Sequence, residues 1–89
     1  MNDIFDALAS PVRRDILKLL RGGAMSAGDL AAHFDLAKPT LSGHFAVLKA
    51  ADLVSTERRG TTILYRLNMS VLDEALAALL SIAGKGRKP

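Results

Sequence analysis

The sequence contains no cysteine, which excludes disulfide bonds, zinc–thiolate sites and thiol redox chemistry in this chain. It also lacks a long hydrophobic run. The longest uncharged apolar segment, "ALAALLSIAG" from Ala75, falls far short of the ~20 residues that cross a bilayer. The opening residues "MNDIFD" carry acids where a signal peptide needs basic side chains. We therefore expect a soluble, cytoplasmic protein whose 89 residues form one domain.

Motifs of catalysis are missing as well. The sequence has no glycine-rich phosphate loop, no pocket of paired carboxylates and no nucleophile beside a base, which argues against an enzyme. His33 and His44 are the two imidazoles available to a metal, and a metal site needs three or four supported ligands. We therefore expect no catalytic residue, no cofactor and no metal. His33 fits a helix boundary, and His44 fits a partly buried, hydrogen-bonded position.

Helix starts are clear in the sequence. A short helix is predicted over residues 3–9, and three later segments each begin with a serine that can cap a helix. These segments are "SPVRRDILKLLRGG" from Ser10, "SAGDLAAHF" from Ser26 and "SVLDEALAALLSIAG" from Ser70. Apolar residues recur in them at helical spacing. In the second and third, an aspartate three residues after the serine forms a variant of the capping box.

The most regular helix is predicted from about Lys38 to Ala51, with Leu41, Phe45 and Leu48 on its buried side. After Leu53 the apolar period changes to two, which predicts two strands around a turn at residues 59–60. The helices over residues 26–33 and 38–51 then form a helix-turn-helix, and the hairpin after them is a wing. We therefore predict a mainly α fold with one β-hairpin. The winged helix-turn-helix domain covers residues 1–84, and a disordered basic tail covers residues 85–89.

The outer face of the helix over residues 38–51 is unusual for a solvated surface. The ~100° rotation per residue turns five small, uncharged residues away from the buried side: Pro39, Thr40, Ser42, Gly43 and Ala46. Lys38 and Lys49 flank them. Such a face can enter a DNA major groove, where hydroxyls read base edges and lysines contact phosphates. The alternative is an ordinary polar surface on an alanine-rich helix.

Positive charge is concentrated in the middle of the chain. Residues 37–69 hold five basic and two acidic side chains, a net charge of +3, which suits a polyanionic partner. At the hairpin tip, Arg58 and Arg59 can lie along a DNA backbone or in a minor groove. Thr61 can add a hydrogen bond to a phosphate. Charged hairpin tips also serve solubility alone, and that alternative stays open.

The last predicted helix carries more apolar surface than one buried face requires. One edge can pack on the chain's own core. We expect the other edge, together with the first helix, to be covered in a twofold homodimer, because a chain this short builds little core by itself. Full burial within one subunit is the alternative. The residues expected at the dimer interface are Ile4, Phe5, Leu8, Leu72, Leu76, Leu79, Leu80 and Ala83.

Two segments, "LASPVRRDILKLL" and "LSGHFAVLKAADLVSTERRGTTILYRL", resemble patterns of the ArsR family of winged-helix repressors. The resemblance covers about residues 4–83 and is closest to the SdpR-like autorepressor branch. It implies a homodimer joined by its first and last helices, which binds a palindromic operator in double-stranded DNA. With the contacts that the resemblance implies, the predicted DNA-binding residues are Ser26, Lys38, Pro39, Thr40, Ser42, Gly43, Lys49, Arg58, Arg59 and Thr61.

The chain also departs from the family pattern. The cysteine motif of the family is absent from residues 26–33 and the last helix holds no histidine, so neither family metal site can be carried over. Ala37 stands at the usual polar N-cap of the recognition helix. The resemblance further implies autoregulation and sequestration by a membrane protein. Two other functions stay open: a winged-helix protein-interaction module, and a small-molecule-responsive repressor with its ligand pocket at the dimer interface.

Overall fold

The computed structural model describes residues 2–84, which form five helices and three strands. The tail predicted over residues 85–89 lies outside the described residues. The elements in chain order are α1 (Asn2–Leu8), α2 (Pro11–Leu20), β1 (Met25–Ser26), α3 (Ala27–Ala31), α4 (Lys38–Ala50), β2 (Val54–Arg59), β3 (Thr62–Leu67) and α5 (Met69–Ile82). The prediction of a mainly helical chain with a β-hairpin is confirmed.

Serine side chains cap two of the helices as the sequence predicts. The Ser10 hydroxyl accepts a hydrogen bond from the Arg13 backbone N–H at 3.3 Å, and Pro11 opens α2. The Ser26 hydroxyl accepts one from the Asp29 backbone N–H at 3.0 Å. Each bond satisfies one of the backbone donors that a helix N-terminus leaves without an acceptor.

The predicted cap of the last helix is wrong. α5 begins at Met69, its N-cap residue is Asn68, and Ser70 lies inside the first turn. The Asn68 backbone N–H donates to the Leu53 carbonyl oxygen at 2.9 Å. That long-range bond fixes the chain just before the helix, so the helix starts two residues earlier than the local serine signal indicates.

The hairpin belongs to a three-stranded antiparallel sheet with the strand order β1-β3-β2. β2 and β3 are joined by a turn at residues 60–61, where Gly60 has a positive φ of 62° that glycine adopts without steric cost. The added strand, β1, pairs Met25 with Tyr65 and Ser26 with Leu64. Two residues are too few to show a period of two, so the sequence does not predict this strand.

The core lies between the first four helices and the sheet. The Phe45 ring of α4 and the Tyr65 ring of β3 lie 4.7 Å apart between centroids, so this aromatic contact packs the hairpin against α4. The buried core residues are Ala7, Ile16, Leu17, Leu20, Leu30, Leu41, Phe45, Leu48, Ala51, Leu53 and Val54.

The chain leaves α4 for β2 through a Schellman-type C-cap. The Leu53 N–H donates to the Leu48 carbonyl and the Asp52 N–H donates to the Lys49 carbonyl, both at 3.0 Å. Asp52 takes the left-handed conformation of this motif, with a φ of 59°. The cap sets the direction in which the chain leaves α4 toward β2.

α5 packs on the rest of the chain mainly through its first half. Val71 and Leu72 lie against the core, and Ala75 is fully buried. Beyond them, apolar side chains face outward: Leu76 is 53% exposed and Leu79 is 47% exposed. Within residues 2–84, no helix is long and apolar enough to cross a membrane.

Candidate nucleic-acid interface

The two faces of α4 divide as the sequence predicts. Leu41, Phe45 and Leu48 are 3%, 7% and 0% exposed, whereas every residue of the predicted outer face is exposed. A Cβ built at Gly43 would meet no atom of the chain within 4 Å. The fold itself therefore does not require glycine at this position. Space for a side chain at this position is therefore open toward the exposed face of α4.

The lysines at the two ends of α4 are free to meet an anion. Lys38 and Lys49 are both exposed, and neither forms an ion pair within the part of the chain that the structure describes. Lys38 and Ser42 also line a cleft of about 270 Å³ between α4 and the small residues of α3. The α4 residues predicted to bind DNA therefore share one exposed surface.

α3 lies between the recognition helix and the wing. A second cleft, of about 420 Å³, separates residues 26–28 from residues 61–63 at the hairpin turn. Ser26 is half-buried, its hydroxyl oxygen caps α3, and its backbone is paired with Leu64. The start of α3 therefore borders both the cleft beside α4 and the cleft beside the tip of the wing. The DNA-binding roles of Ser26 and Thr61 stay predictions.

On the wing, Glu57 holds two arginines. Its Oε2 accepts a hydrogen bond from Arg59 Nε at 2.8 Å and its Oε1 accepts one from Arg66 Nη2 at 3.2 Å. The Arg59 hydrogen bond, followed by that of Arg66, lowers the pKa of the Glu57 carboxyl below its usual value. The spacing of these residues along the sequence does not by itself reveal this cluster. The pairing register of the hairpin predicts the cluster. Glu57 lies opposite Leu64, so Arg66, two residues further along β3, is its diagonal neighbour on the same face.

Arg58 points to the opposite face of the hairpin, where it is paired with Ile63. Its side chain is exposed and makes no hydrogen bond or ion pair to another of the described residues. The two tip arginines therefore differ. The Arg58 side chain has no hydrogen-bond or ion-pair partner among the described residues, whereas a phosphate that binds Arg59 has to compete with Glu57.

The histidines lie apart from each other. His33 is exposed beyond the end of α3, whereas His44 is half-buried, with its Nδ1 3.1 Å from Arg13 Nη1. Among residues 2–84, no three histidine, aspartate or glutamate side chains converge so that they could hold a metal ion. The expected absence of a metal stays a prediction.

A helix-turn-helix built from α3 and α4, with a hairpin packed beside it, defines a winged helix-turn-helix protein. A family model described as a helix-turn-helix domain matches residues 8–57. A crystal structure of an ArsR family transcriptional regulator superposes on the chain with a TM-score of 0.85 at 29% identity. The superposition covers 93% of this chain and 91% of that one.

Two curated relatives are similar over most of their length. The chain is 45% identical to the transcriptional repressor SdpR of Bacillus subtilis (strain 168), covering 97% of this chain and 96% of that protein. It is 37% identical to the arsenical resistance operon repressor of Staphylococcus aureus, covering 89% of this chain and 76% of that protein. The chain belongs to the ArsR family of winged helix-turn-helix transcriptional regulators.

Proposed function

We propose that the chain is a transcriptional repressor that binds a palindromic operator as a homodimer, with α4 in the major groove and the wing beside it. The observation that carries the proposal is the outer face of α4, which is exposed, small and uncharged between two lysines that form no ion pair with any described residue. Short side chains let a helix approach base edges, and hydroxyls can then donate to or accept from them. The two curated relatives are named repressors.

The dimer is proposed mainly from α5. Three of its predicted interface leucines are exposed in the single chain: Leu76 by 53%, Leu79 by 47% and Leu80 by 37%. Contiguous exposed apolar surface of this kind usually marks a protein contact. The other predicted interface residues differ in exposure. Ile4, Leu8 and Leu72 pack partly on the chain's own core. Phe5 is half-buried, and Ala83 is exposed.

Autoregulation belongs to the same proposal, since the SdpR-like resemblance implies it. A thiolate metal sensor is excluded from this chain, because the sequence has no cysteine. Sequestration by a membrane protein, the other implication of that resemblance, stays a prediction that neither the fold nor the relatives' names address.

The test is binding of the purified protein to DNA from its own promoter, with a scrambled duplex of equal length as the control. We expect specific binding whose affinity falls steeply with salt, since each phosphate contact contributes about −0.9 to the logarithmic slope. Equal affinity for both duplexes would contradict the proposal. No affinity for either duplex would favour the protein-interaction module.

A small-molecule-responsive repressor is the second candidate, and one cleft favours it. The cleft has a volume of about 200 Å³ and is lined by Leu8, Leu17, Leu67 and Leu72 together with three cations: Arg14 and Lys18 of α2 and Arg21 at its C-cap. An apolar floor with a cationic rim suits a small amphipathic anion. Titration with short-chain fatty acids, read by operator release, tests this candidate, and Arg21→Ala, at an exposed position of the lining, should weaken the response.

A further inference from the structure

One guanidinium joins three helices. Arg13, on α2, donates from Nη2 to the Asp6 carbonyl oxygen and from Nε to the Ala7 carbonyl oxygen, each at 2.8 Å. Its third nitrogen, Nη1, lies 3.1 Å from Nδ1 of His44 on α4. The side chain therefore connects the end of α1 to the middle of the recognition helix.

The two carbonyl contacts follow from helix chemistry. The last carbonyls of a helix have no intrahelical donor, and a cation near them also complements the helix dipole. Arg14 serves the same end of α1 by donating to the Leu8 carbonyl oxygen at 2.8 Å. Among the described residues, Arg14 forms no hydrogen bond or ion pair with α4, which provides a matched control.

The contact with His44 is directional. Arginine has five N–H donors and no acceptor, so His44 Nδ1 must be the acceptor. A neutral imidazole then carries its proton on Nε2. His44 directly follows Gly43, so this contact holds α4 within one residue of the face proposed to enter the groove.

We propose that Arg13 is a positioning residue for DNA recognition, because it links α1 to α4 through His44 and fixes the angle of the recognition helix. The inference rests on the proposed function. In a dimer, two recognition helices must match half-sites one helical turn apart, about 34 Å. A rotation of α4 against α1, the helix proposed to share the dimer surface, would spoil that match even though no DNA contact is removed.

Arg13→Ala and its control Arg14→Ala test the link in operator binding. Operator affinity is measured well below the melting temperature of each variant. We expect Arg13→Ala to bind the operator at least about tenfold more weakly than the wild type, and Arg14→Ala less than about threefold more weakly. The salt slope of Arg13→Ala should equal that of the wild type, because a positioning residue neutralises no phosphate. Equal losses for the two variants, or a slope shallower by about one contact, would overturn the assignment.

Substitutions at His44 test the acceptor. Asparagine places a carbonyl oxygen near the position of Nδ1, so His44→Asn should keep most of the affinity. His44→Leu removes the acceptor and should lose as much affinity as Arg13→Ala. The double variant Arg13→Ala/His44→Leu should be no worse than Arg13→Ala alone, since Arg13→Ala already breaks the contact that His44→Leu removes. Two results would contradict the link. One is a double variant whose loss of operator affinity equals the sum of the two single losses, and the other is His44→Asn binding the operator as weakly as His44→Leu.

A readout without DNA separates this inference from the proposed function. Amide hydrogen exchange should quicken in both α1 and α4 of Arg13→Ala, but in α1 alone of Arg14→Ala. Arg13→Lys keeps the charge but cannot reach all three acceptors, and it should quicken exchange in α4 as well. Unchanged exchange in α4 of folded Arg13→Ala would overturn the positioning role, whether or not the wild type binds DNA. A wild type that binds no operator, with exchange as expected, would overturn the proposed function alone.

Discussion

At the scale of single residues, Asp52 shows how the chain holds the joint between α4 and the wing. Its φ of 59° belongs to the left-handed region, which costs a residue with a Cβ roughly 1–2 kcal/mol. We expect Asp52→Gly to stabilise the protein by about 0.5–1 kcal/mol, which corresponds to a melting temperature higher by about 2–8 °C for a domain of this size. Thermal denaturation followed by circular dichroism measures this. Asp52→Val should lower the melting temperature, and a rise there would contradict the account of this C-cap.

Glu57 is the second residue with a testable local role. Its carboxylate binds Arg59 and Arg66, so Glu57→Gln should release positive charge at the wing. We expect the variant to bind operator more tightly, with a salt slope steeper by up to about one contact. Glu74→Gln on the exposed part of α5 is the control and should change neither quantity. Weaker binding by Glu57→Gln would show that the pair instead holds the wing in its DNA-binding form.

The pH dependence of the Glu57 cluster follows from the lowered pKa of the carboxyl. Because the folded protein favours the ionised form, the stabilisation from these ion pairs is present above the usual carboxyl pKa and is lost as pH falls through the lowered value. The difference in operator affinity between wild type and Glu57→Gln should therefore stay constant from about pH 6 to about pH 8. Competition binding across that range checks this, and a difference that shrinks within it would contradict the pairing.

At the scale of elements, the two faces of the wing predict unequal roles for its arginines. Arg58 lies opposite Ile63 and has no partner among the described residues, whereas Arg59 is bound to Glu57. We expect Arg58→Ala to make the salt slope shallower by about one contact and Arg59→Ala to make it shallower by less. Measuring both slopes on one operator decides the order. A larger change for Arg59→Ala would place the other face of the hairpin against the DNA.

The elements also separate what local sequence can predict from what it cannot. The serine caps of α2 and α3 and the buried side of α4 depend on residues close together in the sequence, and all three predictions are confirmed. The strand β1 and the start of α5 depend on bonds to residues distant in sequence, such as that from Asn68 to Leu53. The Arg13–His44 contact likewise spans 31 positions. Within the candidate site, the helical rotation of ~100° per residue correctly predicts which residues of α4 are exposed. It does not predict which side chains pair with each other, such as Arg59 with Glu57.

At the scale of the whole molecule, the exposed half of α5 predicts association. Leu76→Glu or Leu79→Glu would place an unpaired charge in an apolar contact, and we expect monomers that have lost operator binding. Glu74→Lys, a change of charge at an exposed position on the side of α5 away from Leu76 and Leu79, is the matched control and should remain a dimer. Sedimentation velocity measures the assembly state. Dimers in both leucine variants would contradict the proposed interface.

The central claim is that the outer face of α4 enters a major groove, and operator affinity of Gly43→Leu tests it most directly. A Cβ at this position would meet no other part of the protein within 4 Å and the position is exposed, so we expect the variant to stay folded and dimeric. We expect it to lose specific binding. Gly43→Ala should melt higher, by up to about 1 kcal/mol in unfolding free energy, with altered affinity or base preference. Ala77→Leu controls for an added exposed leucine. If folded Gly43→Leu binds the operator like the wild type, this face does not enter the groove and the account is wrong.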